Sequence, residues 1–173
     1  MYIDLSQIEQ DELHVAHQYQ KPFELQSEDV RVTSAPAIEL QVQRAAAREF
    51  RVRGHLAATV GVACDRCLIY YSLPIAVSFD LFCVPIETLT PEEDMPLTPK
   101  DLDYGFYRDN LLDVDALVRE QIFLALPFRS LCRLDCRGLC PQCGVDLNRE
   151  TCTCEVDEVA LYWSALRNLK KSN

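Results

Sequence analysis

This chain has little glycine, little histidine and few basic residues. Its 173 residues include 5 glycines and 3 histidines, and Asp and Glu outnumber Lys and Arg by 27 to 17. So few glycines leave little from which to build a phosphate-cradling loop, and no Ser/His/Asp set is visible. The net charge of −10 argues against bulk coating of nucleic acid, which needs clustered Lys and Arg. The sequence therefore predicts a protein that is not an enzyme, with no small-molecule substrate.

Long apolar runs are also missing. No stretch of about 18 apolar residues occurs, and residues 1–12 have neither the basic leader nor the apolar segment of a secretory signal. We therefore expect a cytoplasmic protein with no membrane partner. At 173 residues and 49% apolar content, the chain is long and apolar enough to bury its own core.

Cysteine, by contrast, is abundant and regularly spaced. Eight of the nine cysteines form close pairs, and only Cys83, in an apolar run, stands alone as a predicted buried small hydrophobe. A reducing cytosol disfavours disulfides, so the pairs predict metal ligands, with dispersed structural or redox thiols as the alternative. The pairs are Cys64 with Cys67, Cys132 with Cys136, Cys140 with Cys143, and Cys152 with Cys154.

The segment Cys140-Pro141-Gln142-Cys143-Gly144 has the sequence of a metal-binding knuckle. Gly144 permits a turn with positive φ, and Pro141 stiffens the entry. Structural zinc takes four soft ligands in a tetrahedron, usually as two close pairs from two turns. We therefore predict a first site made of Cys140, Cys143, Cys152 and Cys154.

The remaining four paired thiols predict a possible second site. A tight turn at the Cys64-Asp65-Arg66-Cys67 tip would aim two sulfurs at one point. A single site, exchanged pairs and a plain turn with two half-buried thiols stay open. Zinc is the expected metal and iron the alternative, since rubredoxin-like centres use the same knuckle; an all-thiolate zinc site has no open position, so its role is structural. The second set comprises Cys64, Cys67, Cys132 and Cys136.

The apolar pattern predicts an α+β fold in which a helix packs on an antiparallel β-sheet. Strand-like alternation begins at Val30, after a short candidate strand at 14–19. The stretches 51–64 and 68–84 are rich in β-branched and aromatic residues and are separated by only three residues. They predict a long hairpin whose tip carries the first cysteine pair.

The second half of the chain predicts two helices around the cysteine cluster. Asp113 is a plausible N-cap, and Pro127 should end the first helix. A zinc-ribbon-like cysteine segment and a terminal helix from Asp157 to about Leu169 follow. The predicted organisation is a mainly antiparallel β region at 1–85, an acidic linker at 86–110, and a helical and cysteine-rich region at 111–173 that folds as one unit with 1–85.

Five arginines accompany the cysteines in sequence. Guanidinium groups there would offset the negative charge of thiolates or bind RNA phosphates, and the sequence leaves both interpretations open. These candidate RNA or partner contacts are Arg66, Arg129, Arg133, Arg137 and Arg149.

Several motifs of this chain occur together in one known family. They are Cys64-Asp65-Arg66-Cys67-Leu68, the segment from Asp113 through Arg119-Glu120 to Leu126-Pro127, and Cys132-x-x-x-Cys136-Arg137-Gly138-Leu139-Cys140-Pro141-Gln142-Cys143-Gly144 with Leu147-Asn148 and Cys152-Thr153-Cys154. From about Gly54 to its end, the chain resembles the YceD family of large ribosomal RNA subunit accumulation proteins. The resemblance implies a bacterial cytoplasmic protein with no established enzymatic activity, needed for normal accumulation of large-subunit ribosomal RNA.

These observations together favour a non-catalytic ribosome biogenesis factor with structural zinc. Its expected partner is precursor large-subunit rRNA or a large-subunit ribosomal protein. The alternative is a redox-responsive or metal-sensing regulator whose thiols are the working groups, and an iron electron carrier is a third interpretation.

Overall fold

A computed structural model of the protein describes residues 1–8, 12–25, 27, 29–88 and 104–154. The chain divides into two compact units. We call the first, Met1–Ala63 with Tyr70–Ser130, the sheet unit. We call the second the cysteine unit; it comprises Cys64–Ile69 and the chain from Leu131 onward.

The described part of the sheet unit contains eight strands and one α-helix. Two short 3₁₀ turns, Leu5–Gln7 and Ile86–Thr88, follow the first and sixth strands. The elements are β1 (Tyr2–Asp4), β2 (Leu13–Gln18), β3 (Val30–Val32), β4 (Ala37–Ala46), β5 (Glu49–Ala63), β6 (Tyr70–Pro85), β7 (Tyr104–Tyr107), β8 (Leu111–Asp113) and α1 (Val114–Leu124).

Six of these strands form one mixed sheet in the order β2-β4-β5-β6-β7, with β3 also pairing with β5. β4 and β3 pair with successive parts of β5, so together they cover one of its edges. The pairs are antiparallel except β6 with β7, which is parallel. β1 and β8 form a separate antiparallel pair. The mainly antiparallel sheet is confirmed, and the structure adds one parallel pairing that the sequence did not predict.

The long hairpin predicted from the sequence is β5 with β6. Its register runs from Phe50 opposite Cys83 to Ala63 opposite Tyr70. Side chains on a strand alternate between faces, and Val52, Leu56 and Val60 on one face of β5 are fully buried. The loop that joins the two strands, residues 64–69, belongs to the cysteine unit.

Helix α1 begins where the sequence predicts. The side chain of Asp113 accepts a hydrogen bond from the Ala116 backbone N–H at 3.1 Å, which confirms Asp113 as the N-cap. The helix ends at Leu124 with Ala125 as C-cap, shortly before Pro127. Its apolar face packs against the sheet unit's core, and each buried aliphatic side chain contributes about 1.5–3 kcal/mol. The fully or nearly fully buried residues of α1 are Val114, Leu117, Val118, Gln121 and Ile122.

Cys83 is a core residue of the sheet unit, as predicted. Only 1% of it is exposed, within the cluster of aliphatic side chains between sheet and helix. Burial, with the charge of Glu120 as a smaller cause, raises the pKa of its thiol to about 12. Cys83 is therefore a neutral packing group at physiological pH.

The linker predicted at 86–110 contains secondary structure at both of its ends. Ile86–Thr88 form a 3₁₀ turn, and β7 pairs with β6. Residues 89–103 lie outside the described residues, as does the predicted terminal helix. α1 lies in the sheet unit, whereas the sequence-based organisation grouped it with the cysteine cluster. Within the described ranges, no helix is long and apolar enough to cross a membrane.

Candidate metal centres in the cysteine unit

All nine cysteines lie in the described residues, and each is a free thiol. Eight of them form two groups of four in which the Sγ atoms all lie within 4.8 Å of one another. Both groups belong to the cysteine unit. We call Cys64, Cys67, Cys132 and Cys136 the tip centre, and Cys140, Cys143, Cys152 and Cys154 the C-terminal centre.

The tip centre has the spacing of a four-thiolate metal site. The Sγ atoms of Cys64 and Cys136 are 3.8 Å apart, and those of Cys67 and Cys132 are 3.7 Å apart. Four sulfurs at about 2.3 Å from a central zinc would lie about 3.8 Å from one another. A disulfide would instead bring two sulfurs to about 2.05 Å. The tip centre could therefore hold one metal ion.

The C-terminal centre is slightly tighter and more open to solvent. The Sγ atom of Cys152 lies 3.4 Å from that of Cys140 and 3.5 Å from that of Cys143. The backbone N–H of Cys154 donates to the Cys152 sulfur at 3.2 Å. Cys140 is buried, whereas Cys143 is exposed. This group could hold a second ion closer to the surface.

The first two cysteines of the tip centre are held by a knuckle of backbone hydrogen bonds. The Cys64 N–H donates to the carbonyl of Ile69 at 3.0 Å, and the Leu68 N–H donates back to the Cys64 carbonyl at 2.9 Å. Leu68 has a φ of 60°, in the left-handed region that disfavours a side chain with a Cβ. The turn thus directs both sulfurs to one side.

The knuckle of the C-terminal centre repeats this turn residue for residue. The Cys140 N–H donates to the Val145 carbonyl at 2.8 Å, and the Gly144 N–H donates to the Cys140 carbonyl at 2.9 Å. Gly144 has a φ of 74° and stands where the tip knuckle has Leu68. Glycine at this position avoids the strain that the tip knuckle carries. The equivalence was not predicted, because the tip motif lacks the glycine.

Backbone donors favour a thiolate at the first cysteine of each knuckle. Burial opposes ionisation of Cys64, but N–H groups of Cys132, Cys67 and Arg66 lower the pKa of its thiol to about 6. N–H groups of Cys143 and Gln142 lower the pKa of the Cys140 thiol to about 6 as well. The same offsets, two and three residues on, supply donors in both knuckles. Each centre therefore contains one sulfur that ionises readily.

One sulfur in each centre, Cys132 in the tip centre and Cys154 in the C-terminal centre, has a thiol pKa well above the ordinary value. Burial and the neighbouring sulfurs raise the pKa of Cys132 to about 12. The sulfurs of Cys152 and Cys143, followed by burial, raise the pKa of Cys154 to about 12. A cation among the sulfurs would offset this repulsion, and metal ligation deprotonates coordinated thiols. The donor set therefore suits a thiophilic metal ion.

Comparison with known proteins places the chain in a family. A family model described as large ribosomal RNA subunit accumulation protein YceD matches residues 52–170, more than half of the chain. The chain belongs to the YceD family. This membership confirms the resemblance drawn from the cysteine motifs.

The matches between this YceD family member and its curated relatives cover only part of each chain. The chain is 36% identical over 100 residues to an uncharacterised protein of Mycobacterium tuberculosis. This match covers 57% of this chain and 45% of the relative. An uncharacterised protein of Mycobacterium leprae is 29% identical over 113 residues, 64% of this chain and 48% of the relative. The chain thus spans less than half the length of these curated relatives.

A plant relative carries a functional name. The Arabidopsis thaliana protein named large ribosomal RNA subunit accumulation protein YCED homolog 1, chloroplastic, is 28% identical over 60 residues. The match covers 35% of this chain and 19% of the plant protein. No solved structure gives a significant match.

Asn148 is a residue of the cysteine unit whose role the sequence did not reveal. Its side-chain amide N–H donates to the Sγ atom of Cys136 at 3.4 Å and to Asp146 at 2.7 Å. Its amide oxygen accepts from the Arg137 backbone N–H at 2.8 Å and from the Arg133 guanidinium at 2.7 Å. Only its place in the family motif marks it in the sequence, since these contacts form through space.

The five arginines chosen from the sequence are all exposed. Arg66 donates to the Cys136 carbonyl at 2.6 Å. Arg149 lies 3.5 Å from Asp146, and Arg133 lies 3.6 Å from Asp135. Arg129 is in the sheet unit, whereas the other four are in the cysteine unit. At least part of this basic charge therefore stabilises the loops of the cysteine unit, and RNA binding stays a prediction.

The sheet unit has a concavity of about 650 Å³ lined by residues of β2, β4, β5 and β6. Two of its polar lining residues, Arg53 and His55, have partners elsewhere in the sheet unit. Arg53 lies 3.4 Å from Glu12, and the His55 ring lies within hydrogen-bond distance of Ser78 at 3.1 Å. Such cross-strand pairs are typical of a solvated sheet face. The cysteine centres are therefore the stronger candidate site.

Proposed function

We propose that this protein is a non-catalytic cytoplasmic factor in ribosome biogenesis that supports the accumulation of large-subunit ribosomal RNA. Its membership of the YceD family supports the role, since the family's description and the name of the chloroplast relative both state it. An all-thiolate metal site offers no open coordination position for hydrolysis. The cysteine centres accordingly hold a binding surface in shape.

The proposal includes one structural zinc ion at each centre, in a zinc-ribbon-like arrangement of two knuckles. The observation that carries it is the burial pattern. In the described cysteine unit, the buried apolar side chains are cysteines, namely Cys64, Cys67, Cys136 and Cys140. The described residues of this unit thus bury sulfur where the sheet unit buries aliphatic side chains, and four-thiolate zinc sites contribute folding energy directly. The site residues are the eight cysteines of the two centres.

Metal analysis of the purified full chain tests this part. We expect two equivalents of zinc under reducing conditions and a colourless protein, whereas an iron centre would be coloured. Replacing Cys140 and Cys143 together with serine should remove one equivalent and leave the tip centre loaded. Cys83→Ser is the matched control, because Cys83 lies in the sheet unit's core and should not change the zinc content. Full zinc retention in the double variant would refute the ligand assignment.

Depletion of the protein tests the biological role. We expect the ratio of large-subunit to small-subunit rRNA to fall, and the wild-type gene to restore it. A variant with serine at all eight centre cysteines should fail to restore the ratio, because its cysteine unit lacks metal. An unchanged ratio on depletion would remove the proposed role while leaving the metal centres intact.

The proposed partner is precursor large-subunit rRNA or a large-subunit ribosomal protein. The exposed arginines support the RNA option, since guanidinium groups pair with phosphate. Replacing Arg129 and Arg137 with alanine should weaken binding to a fragment of precursor large-subunit rRNA. The slope of the logarithm of the binding constant against the logarithm of salt concentration should become shallower by about 1 per lost phosphate contact. Unchanged RNA affinity, with retained capture of a purified ribosomal protein, would favour the protein partner.

A redox-responsive thiol regulator is the second candidate, and the exposure of Cys143 favours it. Exposed thiolates are the first to be oxidised. In this alternative, mild peroxide releases metal from the C-terminal centre and switches partner binding. Partner binding that is unchanged after metal loss would exclude it.

A further inference from the structure

The loop between the two pairs of the C-terminal centre also contacts the tip centre. Asn148 lies in the sequence between Cys143 and Cys152, which are both in the C-terminal centre. Its amide nevertheless donates to the sulfur of Cys136, which is in the tip centre. One side chain therefore connects the two candidate sites.

The position of this amide is fixed from several directions. Asp146 accepts hydrogen bonds from both the side chain and the backbone N–H of Asn148, at 2.7 and 3.0 Å. The amide oxygen accepts from Arg137 and Arg133, each of which follows a tip-centre cysteine in the chain. The backbone N–H of Asn148 lowers the pKa of Asp146 and keeps it a charged acceptor. The amide therefore has one orientation in which every polar atom is satisfied.

Backbone contacts join the same loops. The Leu147 N–H donates to the Gly138 carbonyl at 2.9 Å, and the Leu139 N–H donates to the Arg66 carbonyl at 3.1 Å. Gly138 thus lies between the C-terminal loop and the tip knuckle. Ordering of the C-terminal loop around a metal would hold Asn148 where it supports Cys136.

We propose that Asn148 is a positioning residue that couples the two metal centres, so that metal at the C-terminal centre raises metal affinity at the tip centre. The inference rests on the metal binding proposed above. Hydrogen bonds to a ligating sulfur stabilise its thiolate form and set its orientation, and losing such a partner typically lowers metal affinity by about 10–100-fold. Coupling between sites is reciprocal. Metal at the tip centre therefore raises affinity at the C-terminal centre by the same factor.

The test is a cycle of variants of the full chain, titrated with Co²⁺ because its thiolate complexes are coloured. Cys140→Ser with Cys143→Ser leaves only the tip centre, and Cys132→Ser with Cys136→Ser leaves only the C-terminal centre. Competition with a chelator gives the affinity of each. We expect each isolated centre to bind Co²⁺ about tenfold or more weakly than it does in the intact chain.

Asn148→Ala is then introduced into both the intact chain and the chain that has only the tip centre. In the intact chain it should weaken the tip centre by about 10–100-fold, whereas in the tip-only chain it should add little, since the loop is already unrestrained. Asn148→Asp keeps the acceptor oxygen and replaces the donor, so it should behave like Asn148→Ala. Glu150→Gln, in the same loop and exposed, is the matched control and should leave both affinities unchanged.

Three outcomes separate the claims. An equal effect of Asn148→Ala in both backgrounds, or no effect in either, would overturn the coupling while metal binding stands. Independent affinities in the two double-serine variants would do the same. A wild-type chain that takes up no Co²⁺ would remove the proposed metal function, and the coupling with it.

Discussion

The described parts of the sheet unit and of the cysteine unit bury different kinds of side chain. In the sheet unit, aliphatic residues such as Leu56, Val60 and Ile122 are fully buried between sheet and helix. In the described cysteine unit, sulfur atoms occupy the buried positions, and Leu134 is 93% exposed. Burial of apolar area is distributed over many contacts, whereas metal coordination concentrates stability in a few bonds. The two units should therefore fail under different treatments.

Metal removal should have the largest effect and should act on one unit. Structural zinc sites contribute about 10–16 kcal/mol of apparent binding energy that is also folding energy. With a chelator present, we expect the backbone amides of Leu139 and Leu147 to lose protection from hydrogen exchange, while amides in β5 keep theirs. Simultaneous loss in both units would show that their stabilities are not separable.

Leu56→Ala should act on the other unit. Leu56 is fully buried, and its truncation should lower the free energy of unfolding of the sheet unit by about 2–5 kcal/mol. Thermal unfolding followed by circular dichroism measures the loss, and metal content should stay unchanged. The exposed Leu134→Ala is the control and should shift stability by less than about 0.5 kcal/mol. Loss of metal from the Leu56 variant would contradict the comparison.

Substitution of two glycines of the cysteine unit separates the cost of a steric clash from the cost of backbone strain. Both have positive φ, 77° at Gly138 and 74° at Gly144, so alanine is strained at either position by about 1 kcal/mol or more. A Cβ at Gly138 would lie 3.0 Å from the Arg66 carbonyl oxygen, whereas one at Gly144 meets nothing within 4 Å. Gly138→Ala should therefore cost more, up to about 3 kcal/mol. Equal losses, measured by chelator-induced unfolding, would show that the close approach to Arg66 is relaxed at little cost.

Acid should weaken the cysteine unit selectively. The pKa of Cys64 and of Cys140 is lowered from the ordinary 9.0 to about 6. Their contribution as thiolates is therefore complete above pH 9 and is lost as the pH falls through about 6. Below about pH 6, the first cysteine of each knuckle is protonated, so one more proton per centre competes with metal. The logarithm of the metal affinity of each centre should therefore fall by about one additional unit per pH unit. An unchanged slope across pH 6 in competition titrations would contradict the lowered pKa values.

The smallest expected effect is a gain in the stability of the tip knuckle. Leu68 has positive φ and is 63% exposed, so Leu68→Gly should relieve strain and lose little packing. We expect the tip knuckle to gain about 0.5–1 kcal/mol. Leu134→Gly, an exposed leucine outside the positive-φ positions, should bring no gain. A loss on Leu68→Gly would mean that its side chain has a packing role.

Local patterns in the sequence predicted the elements that depend on local interactions. The helix cap at Asp113 and the long hairpin follow from residues within a few positions of each other. The grouping of the cysteines was left open because it depends on the folded chain, and the structure brings the two predicted sets together. Strand β7 was not predicted, because Tyr104–Tyr107 is short, follows an acidic proline-containing stretch, and pairs with β6 in parallel. Asn148 was missed because its contacts form only in the folded unit.

The separation of the paired cysteines along the chain predicts an order in which the two centres form. The sulfurs that meet in the C-terminal centre are 9 and 12 residues apart, whereas those that meet across the tip centre are 65 and 72 residues apart. Closing a short loop loses less entropy than closing a long one. If the proposed metal binds, the C-terminal centre would therefore close soon after its segment leaves the ribosome. The two thiols of the hairpin tip, synthesised much earlier, would meet Cys132 and Cys136 only after the intervening chain has been made.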